Sequence, residues 1–433
     1  MTPGRARLTI GTLVALALGP GRAWAQNALL GPIGGLRPAL AVHGITLGLT
    51  DTENALANIS GGVKQGATLQ GVTTATLHID TGKAFGLPGG TFYVSALQIH
   101  GSSLSPGYLD DLQTASGTEA SDATRLWELW FDQSFDHGTA DLKIGQQSID
   151  QEFIVSTNSA LFVNTMAGWP LVPSADLYAG GPAYPLSALG VRLRLKPTKN
   201  LTLLAGTFDD NPPGGPFAND PQSLDAGGTK FNLTTGALTI VEADFSTRLA
   251  GYPGTYQLGF WVDTGAFPNQ TGPSPAFRQH NDSLYGVIDQ TLWHKHGSPR
   301  QLNFFARLMG APPDRNLISF SANFGLTLTD PLPGRPNDTA GIDIGIGQIS
   351  GDLINRERAQ ADFSQARPDQ SAPIQGTETL IELTYQAQLT PWLQLQPDLQ
   401  YIRNPGGGIA NPAAPRQRLQ NEWVVGVRTN LTF

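Results

Sequence analysis

The strongest constraint on this chain is a two-residue alternation of apolar and polar side chains that recurs along almost its whole length. In residues 422–433 one face carries Trp423, Val425, Val427, Thr429, Leu431 and Phe433; the other carries Glu422, Gly426, Arg428, Asn430 and Thr432. Ile381, Leu383, Tyr385, Ala387 and Leu389 alternate with Glu382, Thr384, Gln386 and Gln388, and Leu189, Val191, Leu193 and Leu195 with Arg192, Arg194 and Lys196. Successive side chains of a strand point to opposite faces, so this is a strand pattern; helical periodicity is weak after residue 66. About 16 such segments can be read between residues 40 and 433, most of them about ten residues long. A tilted strand of about 9–11 residues crosses a bilayer core.

The faces say what surrounds the sheet. Trp127, Leu129 and Phe131, then Tyr256, Leu258, Phe260 and Val262, then Phe320, Ala322, Phe324 and Leu326, form charge-free faces. Glu128, Asp132, Glu242, Asp244, Asp263, Asp343 and Asp398 lie on the opposite ones. A Lys or Arg facing hydrocarbon at the midplane costs about 2–4 kcal/mol, so faces cleared of charge suit a barrel with lipid outside and water inside. Closure also satisfies every backbone group without an edge. The connections alternate in length: 51–66, 101–123, 148–186, 209–230, 265–282, 351–377 and 404–420 read as long, whereas 136–138, 197–199 and 390–391 are tight. The expected fold is therefore all-β, a transmembrane antiparallel barrel of about 16 strands with short periplasmic turns and long extracellular loops. Segments 67–80 and 90–100 alternate poorly, and Pro397, which lacks a ladder donor, suggests a bulge.

Composition excludes several other classes. Charged residues are 14% of the chain, against about 25% in soluble domains. Net charge is -8, which argues against phosphate-driven nucleic-acid binding, and Cys is 0, which removes disulfide frameworks and Cys-based zinc sites. Arg5 and Arg7, the apolar run Leu8 to Leu18, and Ala23-Trp24-Ala25 before Gln26 read as a cleaved secretory leader over residues 1–25. Residues 26–433 are then one barrel domain, exported to the outer membrane of a Gram-negative bacterium. The terminal aromatic Phe433 after a final strand resembles an assembly signal read by the barrel-assembly machinery. Aromatics at strand ends, among them Tyr256, Trp392, Tyr401 and Trp423, fit girdles at headgroup level. Nucleotide, metallohydrolase and serine-hydrolase motifs are missing, so neither an enzyme nor a cofactor is expected.

Several blocks resemble the carbohydrate-selective porin family (OprB type): residues 58–66 (NISGGVKQG), 184–194 (YPLSALGVRLR), 289–293 (DQTLW), 305–310 (FARLMG) and, best, 378–406 (ETLIELTYQAQLTPWLQLQPDLQYIRNPG). The resemblance runs from about Val42 to Phe433. It implies passive, sugar-preferring diffusion of small carbohydrates through a narrowed lumen, the alternative being a general or anion-leaning diffusion porin. Sugar passage needs hydrogen-bonding groups, flat aromatic faces and weak binding. Parity places Trp130 and Trp261 inward as aromatic faces, with Arg192, Arg194, Arg307, Glu128, Asp132, Asp289, Glu382 and Asp398 as polar candidates. Any of these charges could instead be solvated wall. The long 148–186 connection, with Phe162, Trp169, Tyr178 and Tyr184, is the candidate to fold inward. Expected partners are small carbohydrates, outer-membrane lipid and lipopolysaccharide; monomer and homotrimer both stay open.

Overall fold

The computed structural model describes residues 28–215, 221–271, 276–363 and 372–433; the leader assigned to 1–25 lies outside them. A short helix, α1 (Leu36–Val42), precedes the strands β1 (Ile45–Ser60), β2 (Gly66–Asp80), β3 (Gly90–Gly101), β4 (Ala123–Phe135), β5 (Ala140–Gln147), β6 (Ala188–Thr198), β7 (Leu201–Asp209), β8 (Ala237–Leu249) and β9 (Tyr252–Pro268). There follow β10 (Phe277–His294), β11 (Gln301–Gly310), β12 (Ile318–Thr329), β13 (Thr339–Ile349), β14 (Thr377–Thr390), β15 (Leu393–Arg403), a small hairpin β16 (Ala410–Asn411) and β17 (Ala414–Arg418), and β18 (Glu422–Thr432). Apart from that hairpin the strands form one closed antiparallel barrel, each beside its chain neighbour, with β15 passing to β18 and β18 closing on β1. The two chain ends meet on one rim: Phe433 N–H donates to the Leu49 carbonyl at 2.9 Å, and Leu29 N–H to that of Thr432 at 2.8 Å.

The alternation holds in three dimensions. Ile342, Leu258, Phe260, Leu308, Phe324 and Leu383 are exposed on the outer face, while Asp343, Glu242, Arg307 and Glu382 are buried inside. Connections at the chain-end rim are tight at 199–200, 250–251 and 391–392, and those at the other rim run to 102–122, 148–187, 210–236 and 350–376.

Four expectations are corrected. The 51–66 connection is not long: β1 continues to Ser60 and β2 starts at Gly66. Its polar sequence conceals a strand because Asn54, Leu56 and Asn58 point inward under loops while Asp51 and Glu53 point outward. The 265–282 connection is likewise shortened by strand extension, with β9 reaching Pro268 and β10 beginning at Phe277. Trp127 does not share the outer face with Leu129 and Phe131. The β3–β4 register shifts between Ser95 and Ala96, and this bulge turns Trp127 inward, where its indole N–H donates to the Leu186 carbonyl at 3.2 Å. Pro397 causes no bulge. Thr384 pairs with Asp398 and Ala387 with Leu395 in unbroken register, and only the pairing between them is lost. Thr384 Oγ1 takes over part of it, donating to the Pro397 carbonyl and accepting from Gln396 Nε2.

Candidate functional site

Two inward arrays dominate the lumen. The first lies on β4–β6. Register sets Asp132 opposite Lys143, Lys143 opposite Arg192, and Asp141 opposite Arg194, so alternation on three strands produces one sheet of opposed charge. Arg192 is its hub. It contacts Asp132 Oδ2 at 3.0 Å, Glu152 Oε2 at 2.6 Å, and Asp141. Arg194 Nε donates to Asp141 Oδ2 at 2.7 Å, and Lys143 Nζ to Glu152 Oε1 at 2.6 Å. Glu152 belongs to the 148–187 loop. Burial opposes its charge, but Lys143 and Arg192 outweigh burial and hold its carboxyl at about 2. Buried ion pairs add little net stability, so the value of this network is positional: it fixes the loop's entry to the wall.

Beside it stands an aromatic pair. Trp130 stacks on Tyr93 with ring centroids 4.8 Å apart and planes 21° from parallel. Lys143 Nζ sits 4.5 Å from the Trp130 ring centroid, and the indole N–H donates to Glu128 Oε1 at 3.3 Å. Both rings remain partly exposed.

The second array pins the loop as it crosses the barrel. Glu242 on β8 accepts the Ile154 N–H at 2.8 Å. Asp289 on β10 accepts from Ser156 Oγ, from the Thr157 and Asn158 N–H groups and from Asn158 Nδ2, at 2.8–3.1 Å. Arg307 on β11 donates to the carbonyls of Met166 and Gly168. Glu382 on β14 accepts the N–H groups of Val163 and Asn164, and Arg428 on β18 donates to the Val163 carbonyl. The 102–122 loop is held in the same way: Glu378 accepts the N–H groups of Leu112 and Gln113 at 2.8 and 2.9 Å. A buried loop must pair its backbone, and here carboxyl and guanidinium groups of the wall do so.

The ten predicted residues thus divide. Trp130, Asp132, Arg194 and Asp289 retain exposure to the lumen. Arg192, Arg307, Glu128, Glu382 and Asp398 are inward but covered, and Trp261 is 1% exposed within an apolar cluster containing Phe153, Trp169 and Val172 of the loop. Trp261 therefore presents no free aromatic face. Asp398 lies against the second array, accepting from Gln400 Nε2 at 2.8 Å. Sequence reading missed Tyr93, Asp141, Lys143 and Glu152. Asp141 and Lys143 alternate with Leu142 and Ile144 and were open to the same parity argument; Tyr93 and Glu152 carried no local signal. An open cavity of about 710 Å³ lies under the loop, with Thr157, Asn158, Thr255, Asp289, Gln290 and Asn303 in its polar lining. Among the described residues no group of three or more His, Asp or Glu side chains is placed to hold a metal ion.

A closed sixteen-strand barrel whose lumen is narrowed by a wall-anchored loop is a porin of the outer-membrane type. The family model for the carbohydrate-selective porin, OprB family, matches residues 64–433, and this chain belongs to that family. It is 26% identical over 467 residues to Porin B of Pseudomonas aeruginosa, covering 98% of this chain and 97% of that protein. It is 24% identical over 432 residues to the putative porin QuiX of Acinetobacter baylyi, covering 95% and 94%. The high-pH structure of Pseudomonas putida OprB superposes with a TM-score of 0.81 at 22% identity, covering 94% of this chain and 98% of that one.

Proposed function

We propose that this carbohydrate-selective porin passes neutral sugars of monosaccharide size by passive diffusion. The carrying observation is the partly exposed Tyr93–Trp130 stack beside the water-facing Arg194 and Asp132. The two rings, stacked on each other and partly exposed, offer apolar contact to pyranose C–H groups. The guanidinium and carboxylate replace water on the hydroxyls as the sugar slides past, and none of these contacts is strong enough to retain it. Arg192, Arg307, Glu128, Glu382 and Trp261 set the aperture by holding the inserted loop, Asp398 stands beside Glu382 on the wall, and Asp289 holds the loop while facing the cavity. Residues 1–25 act as a cleaved leader, and Phe433 guides assembly into a lipopolysaccharide-containing outer membrane.

Liposomes carrying the purified protein test this reading. Glucose, a disaccharide, an amino acid and an organic acid are compared by swelling rate. Glucose should enter faster than the size-matched charged and zwitterionic solutes, and Trp130→Ala should reduce that preference several-fold while leaving the fold intact. Entry ranked by size alone, unchanged by Trp130→Ala, would leave a general diffusion pore.

A further inference from the structure

Alternation on β2 turns Val72, Thr74, Thr76 and His78 inward, while Leu77 joins Val94 and the exposed Leu129 on the outer face. The register then sets His78 opposite Tyr93, and Tyr93 opposite Trp130; on the other side Thr46 of β1 faces His78. Four adjacent strands therefore carry a hydroxyl, an imidazole, a phenol and an indole in one inward row. The strand of His78 stands one spacing from that of Tyr93 and two from that of Trp130, about 5 and about 10 Å along the wall. Polar rows flank this one: Thr76, Ser95 and Glu128 toward the far rim, and Asp80, Thr91 and Asp132 toward the chain-end rim.

The two sides of the aromatic pair differ. On the β4–β6 side the charged groups are already matched: Arg192 with Asp132 and Glu152, Lys143 with Glu152, Arg194 with Asp141. On the β2 side the half-buried His78 has no hydrogen-bond partner among the described residues. Its Nε2 is sealed from solvent, and Nδ1 is the nitrogen that still reaches the lumen. A neutral imidazole carries a single N–H. Placed on Nε2 it would strand a buried donor, so the proton belongs on Nδ1.

We propose that His78 Nδ1 donates to one oxygen of a pyranose in contact with Tyr93 and Trp130, so that His78 sets which monosaccharides this porin prefers. The inference rests on the sugar-passage reading above and adds a specificity residue to it. The two larger rings meet the C–H surface that every pyranose presents, and they do not tell one sugar from another. A single neutral donor, fixed one strand away, reads whether an oxygen stands at one position of the ring. An analogue lacking that oxygen is disfavoured because the donor loses its partner. One neutral hydrogen bond is also weak enough to let the sugar move on.

Liposomes carrying the intact protein would be given glucose, its monodeoxy analogues and an amino acid of similar size, each below saturation. His78→Phe keeps a ring and removes both nitrogens; His78→Asn returns an N–H close to the position of Nδ1. Heat-modifiable migration would confirm that each variant is folded. The wild type should admit glucose about fivefold faster than one of the monodeoxy analogues. His78→Phe should bring glucose down to the rate of that analogue, His78→Asn should restore most of the gap, and amino-acid entry should stay the same in both. Equal entry of glucose and all its analogues in the wild type would overturn the inference. So would a His78→Phe variant that keeps the wild-type ranking while Trp130→Ala lowers the preference for glucose over the amino acid; the sugar-passage reading would then stand alone. Glucose entering the wild type no faster than the amino acid, unchanged by Trp130→Ala, would overturn both.

Discussion

Arg307 Nη1, on the wall strand β11, donates to the carbonyl of Gly168 in the inserted loop at 2.6 Å. The same guanidinium reaches Met166 and, through Nε, Asn323 Oδ1 at 3.0 Å. One planar fork thus ties loop backbone to wall. Arg307→Ala should release this stretch and leave buried carbonyls unpaired, at about 1–3 kcal/mol for each lost partner. Single-channel conductance should rise and become noisier, with weaker discrimination between glucose and a disaccharide. Arg307→Lys should not restore it, because an ammonium cannot span the same acceptors. Unchanged conductance and noise in Arg307→Ala would show that the loop is held without it.

Acid should loosen the same loop at its entry. Glu152 is held at about 2 against an ordinary value of 4.5. A depressed carboxylate contributes stability that is complete above the unfolded value and is lost as pH falls through the folded one. The window is therefore pH 4.5 down to about 2, and the contribution is at most on the order of 3 kcal/mol. Hydrogen exchange in residues 149–156 should speed up across that window in the wild type. In Glu152→Gln it should already be fast at neutral pH and vary little.

The 102–122 loop should respond with opposite sign. Burial pushes the Glu119 carboxyl up to about 7, although Ser105 donates to it through both its N–H and its hydroxyl. A raised carboxylate favours folding fully below its unfolded value and loses that contribution as pH rises through the folded one, here between 4.5 and about 7. Exchange around Ser105 should slow on acidification from pH 7.5 to 5, and Glu119→Gln should be slow throughout. Parallel pH responses in the two loops would contradict both assignments.

Pro397→Val should stabilise the barrel by about 1 kcal/mol, since it supplies an N–H at the mid-strand break in the β14–β15 ladder. The position faces outward and is exposed, so the larger side chain meets no packed wall. The temperature at which the folded band converts on a heat-modifiable gel would register the gain; a fall would mean that the Thr384–Gln396 hydrogen bonds had been worth more than the ladder.

How far the sequence could be read depended on which side of the wall was simple. On β6, β12–β15 and β18 the outer face is apolar and the inner mostly polar, so parity gave both strand and orientation. On β1–β3 both faces are mixed. Asp51, Glu53 and His100 point out, while Leu56, Val72, Leu97 and Ile99 point in, beneath loop residues that local sequence cannot reveal. The bulge at Trp127 shows the other limit, since one inserted residue flips the parity of everything before it. At the candidate site, inwardness was legible for Arg192, Arg307 and Glu382, but their occupation by the loop, through the Glu152 side chain for Arg192 and through backbone for the other two, was not. That depends on partners more than a hundred residues away for Arg307 and Glu382.

The loop's anchors have a mechanical consequence. Glu242, Asp289, Arg307, Glu382 and Arg428 stand on β8, β10, β11, β14 and β18, while the loop's ends leave β5 and β6. The crossing segment therefore braces the cylinder like the spokes of a wheel. A water-filled barrel has no solid core to resist lateral pressure from the bilayer. In this one the element that narrows the opening also keeps the cross-section round, so widening the pore by cutting its moorings would also make the wall easier to flatten.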